Sequence, residues 1–409
     1  MNSSANSCII AVHGGAGYHS VDKEKEYRSV CATACQMVSA TTHIQLVKWK
    51  ISATHRSVCA TACQMAMNSL KKGASALDVV ALAVTYLEDA ACTNAGIGSS
   101  LSLEGTVECD ASVMDGQSLA FGAVGAISDV KNPILVAKKL VEEQKQGTLS
   151  LGRVPPCTMV GSGATKWATE HGITRVSPDT LKTKSSVKTY NSHKRKLLMA
   201  EEKKKHKKRK YLRNHIHDRM DEEENLDFVC NGIQDTVGAV CIDMAGNMAA
   251  GVSSGGISLK QLGRLGPAAL YGAGCWAVNW KSDVKPGIAV ATSGTGEHLM
   301  KTLLARECCQ CLQQDDFTEN AFKTVFQDQF LDSEFLHDTK EKFGGILALK
   351  FDRSDTGSRH CELLWGHTTD SMCIGFMSSN SKVKTVISRL EDDKKAGTTF
   401  VMEGKTVKL

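Results

Sequence analysis

The sequence predicts a layered α+β fold, with sheets and helices stacked on one another. Strand-like and helix-like patterns come in blocks on both sides of a charged stretch near mid-chain, which is the pattern of a layered structure. Short apolar runs are separated by turn signals such as Asp115-Gly116 and Ala245-Gly246. Apolar residues make up 42% of 409, enough for a sizeable core, and no run reaches the ~18 residues of a membrane span.

In chain order, Cys8–Val12 reads as a buried strand and His13-Gly14-Gly15-Ala16-Gly17 as the turn that ends it. Residues 22–37 and 57–72 have helical composition, and Ala74–Ala90 reads as an amphipathic to buried helix. Val107–Met114 and Leu119–Ile127 are strands joined at Asp115-Gly116. A helix over 134–146 follows Pro133. Later, Val237–Asp243 and Asn247–Ser253 form a hairpin around Ala245-Gly246. Gly287–Thr292, Gly345–Phe351, Cys361–Trp365 and Met372–Met377 are further strands, and Gly296–Gln314 is a long helix.

The net charge of +5 is concentrated in one place. Residues 182–213 hold fourteen Lys/Arg and two acids, and the rest of the chain carries 35 basic against 42 acidic residues. A uniformly basic nucleic-acid-binding surface is therefore not expected. Residues 181–230 have few apolar side chains to offset ordering entropy, so a mobile loop or solvated helix is expected there. Met1–Ala11 lacks a basic stretch and Cys8–Val12 is short for a signal peptide, so the sixteen cysteines are read as reduced thiols. Arg28–Met37 recurs unchanged as Arg56–Met65. Two copies do not make a solenoid, which needs at least three. A recent local duplication or an error in the gene structure is expected, with the surplus copy and its spacer protruding outside the core.

Several motifs are set aside. Gly161–Lys166 lacks phosphate-loop spacing. Cys308, Cys309 and Cys311 have no second ligand pair, and read as thiols on a helix. No metal or other cofactor is expected. Gly251–Gly255 fits GxSxG, which makes a serine hydrolase acting through Ser253 a rival, but two glycines follow where the elbow needs a helix.

The stronger signal is Asp235-Thr236, where the charged stretch ends and a strand begins. If that bond is cut, Thr236 gains a free α-amine, ordinarily titrating near ~7.7–8.0, that can take the proton of its own hydroxyl. With hairpin pairing sums of 490 or 491, Ser254 lies beside Thr236. Arg264, flanked by Gly263 and Gly266, can hold a carboxylate with two parallel hydrogen bonds. Thr292–Glu297 ends a strand and offers hydroxyls and backbone N–H groups to an oxyanion. Together these describe an amide hydrolase with a carboxylate-binding pocket.

His13–Gly17, Thr93–Ser99, Glu108–Gly116, Asp235–Val240, Gly251–Gly256 and Ser293–Glu297 resemble the plant-type asparaginase family of N-terminal nucleophile hydrolases. The resemblance implies a four-layer αββα sandwich. It implies a precursor that cuts itself between Asp235 and Thr236 into an α subunit (1–235) and a β subunit (236–409), pairing as a dimer of αβ heterodimers. It places Thr236 as nucleophile with Ser254 beside it, Arg264 on the substrate carboxylate, Ser293 and Gly294 in the oxyanion hole, and Asn94 near the nucleophile. One position departs from the family. Asparaginases carry an Asp three residues after the pocket Arg, for the substrate's α-amino group, and here that residue is Pro267. Proline has no side-chain acceptor.

That departure favours a threonine endopeptidase cutting protein substrates after aspartate, with an isoaspartyl peptidase/L-asparaginase as the alternative. A non-catalytic binding protein with the bond intact is the rival outside enzymes. Lys194-Arg195-Lys196 and the run ending Lys207-Lys208-Arg209-Lys210 form two basic clusters that look like a bipartite nuclear import signal read by importin-α. Nuclear and cytoplasmic residence, nuclear regulatory proteins as substrates, and neither membrane nor direct nucleic-acid binding are the corresponding expectations.

Overall fold

The structure is a computed structural model, and it describes residues 7–19, 54–213, 236–281, 285–315, 317–353 and 359–408. Its strands form two sheets. The larger orders β12-β11-β1-β5-β6-β2-β3-β4, where β1 is Ile9–Gly17, β2 Cys109–Asp115, β3 Phe121–Ile127, β4 Thr158–Val160, β5 Val237–Ile242, β6 Met248–Ser254, β11 Ser371–Ser378 and β12 Lys384–Arg389. The smaller orders β13-β10-β9-β8-β7, where β7 is Cys275–Val278, β8 Gly287–Gly294, β9 Gly344–Arg353, β10 Arg359–His367 and β13 Val401–Lys408.

Strand alternation builds the four layers. On β5, Val237, Ala239 and Cys241 face one core and Val240 and Ile242 another; on β8, Ala289 and Ala291 face the shared core while Ile288 and Val290 face a third. A strand buried on both faces needs partners on both sides. Helices α1 (His55–Leu70), α2 (Ala76–Glu88) and α3 (Pro133–Lys145) cover the outer face of the large sheet, and α4 is Gly161–Glu170. Beyond the long α5 (Lys184–Arg213), α6 (Gly296–Lys301), α7 (Leu304–Gln314) and α8 (Thr318–Thr324) follow, and α7 and α8 cover the small sheet. The two sheets face one another across the middle core. This is the αββα sandwich of the N-terminal nucleophile hydrolases.

Most expected elements are present, with differences. His13–Gly17 is not a turn: β1 runs through it, with a bulge between His13 and Ala16, because β11 and β5 pair with it on either side. The expected helix 296–314 breaks at Leu303, whose φ is +46°, so that α7 turns Leu304, Ala305, Cys308 and Leu312 onto the small sheet. Gly161–Lys166 opens α4. The second repeat copy lies in α1 and is part of the core through Val58, Cys59, Ala62 and Cys63. The first copy and the helix expected over 22–37 lie outside the described residues, so the surplus segment has no described position. Within 181–230, residues 184–213 are helix α5, whose side chains over 184–206 are exposed or half-buried; the acidic stretch 218–224 lies outside the described residues.

Candidate active site

The β5–β6 hairpin has the expected register. Val237 pairs with Ser253, so Thr236, the residue just before β5, reaches Ser254, and its Oγ1 donates to Ser254 Oγ at 3.1 Å. Thr236 and Ser254 have even numbers, like Val240 and Val252, and so face the space between the sheets. Asp110 of β2 pairs with Ser254 from the other side and faces the same way. Ser253 has the opposite parity, is fully buried, and follows the face turned to the helices. No helix follows β6, so the strand–turn–helix of a serine nucleophile elbow is not formed there.

Asn94, Thr236, Ser254, Gly256, Ile257, Arg264, Pro267, Gly294 and Gly296 line one small cleft. Asn94 organises its floor: its Nδ2 donates to Gly256 O at 2.8 Å, and its backbone O accepts from Gly255 N at 2.6 Å. Ser254 Oγ also accepts from Gly256 N at 3.0 Å. The Arg264 guanidinium is held by Glu297, with Nε at 3.0 Å from Oε1 and Nη2 at 2.8 Å from each carboxylate oxygen. That contact uses the Nε edge and leaves Nη1 near Gly256 and Gly266. Gly294 ends β8 with φ +139°, and a Cβ there would come within 2.5 Å of Phe343 O, so only glycine fits.

Of the residues expected in the site, Asn94, Thr236, Ser254, Arg264 and Gly294 meet at the cleft. Ser293 is fully buried, and its hydroxyl accepts from Ala16 N at 3.0 Å; Gly294, its neighbour, borders the cleft. Asp235 lies outside the described residues. Lys194, Arg195 and Lys196 lie on α5 and are not among the residues lining the cleft; the backbone of residues 207–210 continues the same helix. Among the described residues no group of His, Cys, Asp and Glu is arranged for a metal ion, and no helix is long and apolar enough to cross a membrane. Cys308 and Cys309 are buried thiols of α7, each raised by burial, Cys309 to about 12.

Two charged residues escaped the sequence reading. Lys260 is only 2% exposed, and its Nζ donates to Glu108 O at 2.6 Å and Gly255 O at 3.0 Å. Asp110 is fully buried, and accepts from Ala126 N at 2.9 Å and Gly266 N at 2.7 Å. Burial pushes the Asp110 carboxyl above the usual carboxylate range, with Lys260 the chief opposing influence. Asp110 did stand in a motif, Glu108–Gly116; Lys260 gave no signal beyond its place between two glycine-containing stretches.

A threonine at the head of a central strand, a second hydroxyl beside it and an αββα frame define an N-terminal nucleophile hydrolase. The chain belongs to the asparaginase family, whose pattern matches residues 38–387. It is 34% identical over 308 residues to the isoaspartyl peptidase of Salmonella typhimurium, covering 75% of this chain and 80% of that protein. It is 32% identical over 297 residues to the isoaspartyl peptidase of Escherichia coli, covering 73% and 74%. It is 35% identical over 252 residues to the isoaspartyl peptidase/L-asparaginase of Mus musculus, covering 62% and 64%.

Proposed function

We propose that the chain is a self-cleaving threonine hydrolase. Cutting at 235–236 would leave an α subunit of residues 1–235 and a β subunit of 236–409. The freed amine of Thr236 then takes the proton of its own hydroxyl, and Oγ1 attacks a carbonyl carbon held in the cleft. Ser254 Oγ, at 3.1 Å, orients that hydroxyl. Arg264 Nη1 binds the substrate's side-chain carboxylate, and backbone N–H groups around Gly294 face the developing oxyanion. The observation that carries this reading is the Thr236–Ser254 contact at the head of β5. The test is intact mass of purified wild type beside Thr236→Ala: two fragments from the first and one chain from the second.

For the substrate, two readings stand. The names of the relatives favour an isoaspartyl peptidase/L-asparaginase. Pro267 in the cleft lining favours endopeptidase cleavage after aspartate, because free asparagine and β-aspartyl dipeptides bring an α-ammonium that proline cannot accept. We favour the endopeptidase on that ground, by resemblance to the threonine aspartase taspase-1. That finer likeness lies in Leu270–Trp276, Gly296–Leu299, His367–Cys373 and the basic segment before the proposed cut. A peptide spanning residues 231–240, free L-asparagine and a β-aspartyl dipeptide, assayed side by side, separate the two. Ammonia release from asparagine faster than peptide cleavage selects the alternative.

The same reading makes the basic clusters of α5 an import signal for importin-α, gives the protein nuclear and cytoplasmic residence, and makes its targets nuclear regulatory proteins. It pairs two αβ heterodimers. Loss of nuclear accumulation on replacing Lys194, Arg195 and Lys196 together by alanine tests the first of these.

A further inference from the structure

Lys260 has no role in the chemistry described so far, yet the fold buries it beside the cleft. Its ammonium is bonded to two backbone carbonyls, and among the described residues no carboxylate is within hydrogen-bonding reach of it. A buried ammonium with no carboxylate hydrogen-bonded to it is costly, even with Asp110 interacting with it through space, so its place asks for a reason. One of its two acceptors, Gly255 O, belongs to the residue directly after Ser254. The next residue, Gly256, donates to Ser254 Oγ, and a Cβ on it would lie 3.2 Å from Lys260 Nζ and 3.1 Å from Arg264 Nη1. Two cations therefore converge on one glycine of the cleft wall. Asn94 grips the same turn from the opposite side.

Of the other titratable groups nearby, Asp110 interacts electrostatically with Lys260, and His13 of β1 reaches the place of a Cβ on Gly238, two residues after Thr236; the rest are engaged elsewhere. Glu297 holds Arg264; Asp110 faces two backbone N–H groups; Glu108 Oε2 accepts from Gly263 N. Glu88 of α2 accepts from Ile134 N. Cys109 is a thiol pushed up to about 11 by burial. From α5, His193 meets Ser258 and Lys194 meets Leu103 O.

We propose that Lys260 is a positioning residue for the reacting centre: it pins the Gly255–Gly256 turn behind Ser254, and its fixed positive charge keeps the amine of a mature Thr236 unprotonated at neutral pH. This rests on the reading that Thr236 becomes an amino terminus. A cation close to an amine disfavours its charged form, so the amine titrates lower and serves as a base at lower pH. A neutral side chain of the same length loses this effect, and an arginine keeps it.

The test has two arms. In the wild type, the rate of limited acylation of the Thr236 amine, followed by peptide mass against pH, should place its titration below the ordinary ~7.7 of an α-amine. In Lys260→Met, the acidic limb of kcat/KM should move up by about one pH unit, a loss of about tenfold at pH 6; in Lys260→Arg it should stay at the wild-type position. A wild-type amine titrating at or above the ordinary range overturns the proposal, and this arm holds even if Lys260→Met does not fold. An unmoved acidic limb in Lys260→Met, with only kcat lowered, also overturns it. Active protein that yields no Thr236 amino-terminal peptide overturns the threonine reading and this one together, whereas a labelled but unshifted Thr236 overturns this one alone.

Discussion

The two ends of the β5–β6 hairpin belong to the same pair of strands and are built for opposite purposes. At the turn, Asp243 accepts from Ala76 N at 3.1 Å, Ala245 N at 2.9 Å, Asn247 N at 2.9 Å and Asn247 Nδ2 at 3.4 Å. Every lone pair has a local use, and the carboxylate ties α2 to the hairpin. At the open end, two hydroxyls share one hydrogen bond, an arginine keeps one nitrogen toward the cleft, and a buried ammonium meets only carbonyls. A polar group saturated by its neighbours holds structure together, while one left partly unsatisfied is available to a substrate.

The contrast can be broken at either end. Thr236→Ala should have the largest effect: no hydrolysis of any substrate and an uncut chain by intact mass, with the melting temperature of the precursor little changed. Next, Arg264→Ala should lower kcat/KM on an aspartyl peptide by about 2–5 kcal/mol of transition-state binding, the usual result of orphaning such a pair. Steady-state kinetics beside a peptide with asparagine at the same position would show whether the loss belongs to the carboxylate. At the turn, Asp243→Ala should cost about 1–3 kcal/mol of stability by leaving N–H donors unpaired, read as a shift in denaturant midpoint. Its kcat/KM on the folded fraction should stay near that of the wild type; a large fall would mean the two ends are not independent.

The smallest effect concerns Glu88, which lies between the helix layer and β6. Burial pushes its carboxyl up to about 8, and it is fully buried. A folded-state value above the unfolded one means the folded protein holds the proton more tightly. The stabilisation is full below about pH 4.5 and is lost as pH rises toward about 8. The melting temperature of the wild type relative to Glu88→Gln should therefore fall between pH 5 and 8. A difference independent of pH would contradict the assignment.

How much of this was readable beforehand follows from sequence distance. The hairpin register depends on a turn at Ala245-Gly246 and on strict alternation, both local, so the meeting of Thr236 and Ser254 could be inferred from spacing. The layered fold was visible in the short apolar runs for the same reason. Lys260 was not legible, because a lysine in a glycine-rich loop reads as solvated. Its burial comes from contacts with Glu108 and Leu103, each more than 150 residues earlier in the chain. Strand β13 was missed because its half-exposed, charged sequence becomes a strand only by pairing with β10. The break at Leu303 reflects how α7 docks on the small sheet, which local propensity does not encode.

In the large sheet, β5 is hydrogen-bonded to β1 on one side and to β6 on the other, and β6 in turn to β2. A break just ahead of β5 would thus separate the polypeptide without separating its parts, since strands from before and after the break are woven edge to edge. Such a nicked molecule could be melted once but would have to find its other half by diffusion to form again. Cutting there would then be a one-way step for assembly as well as for chemistry.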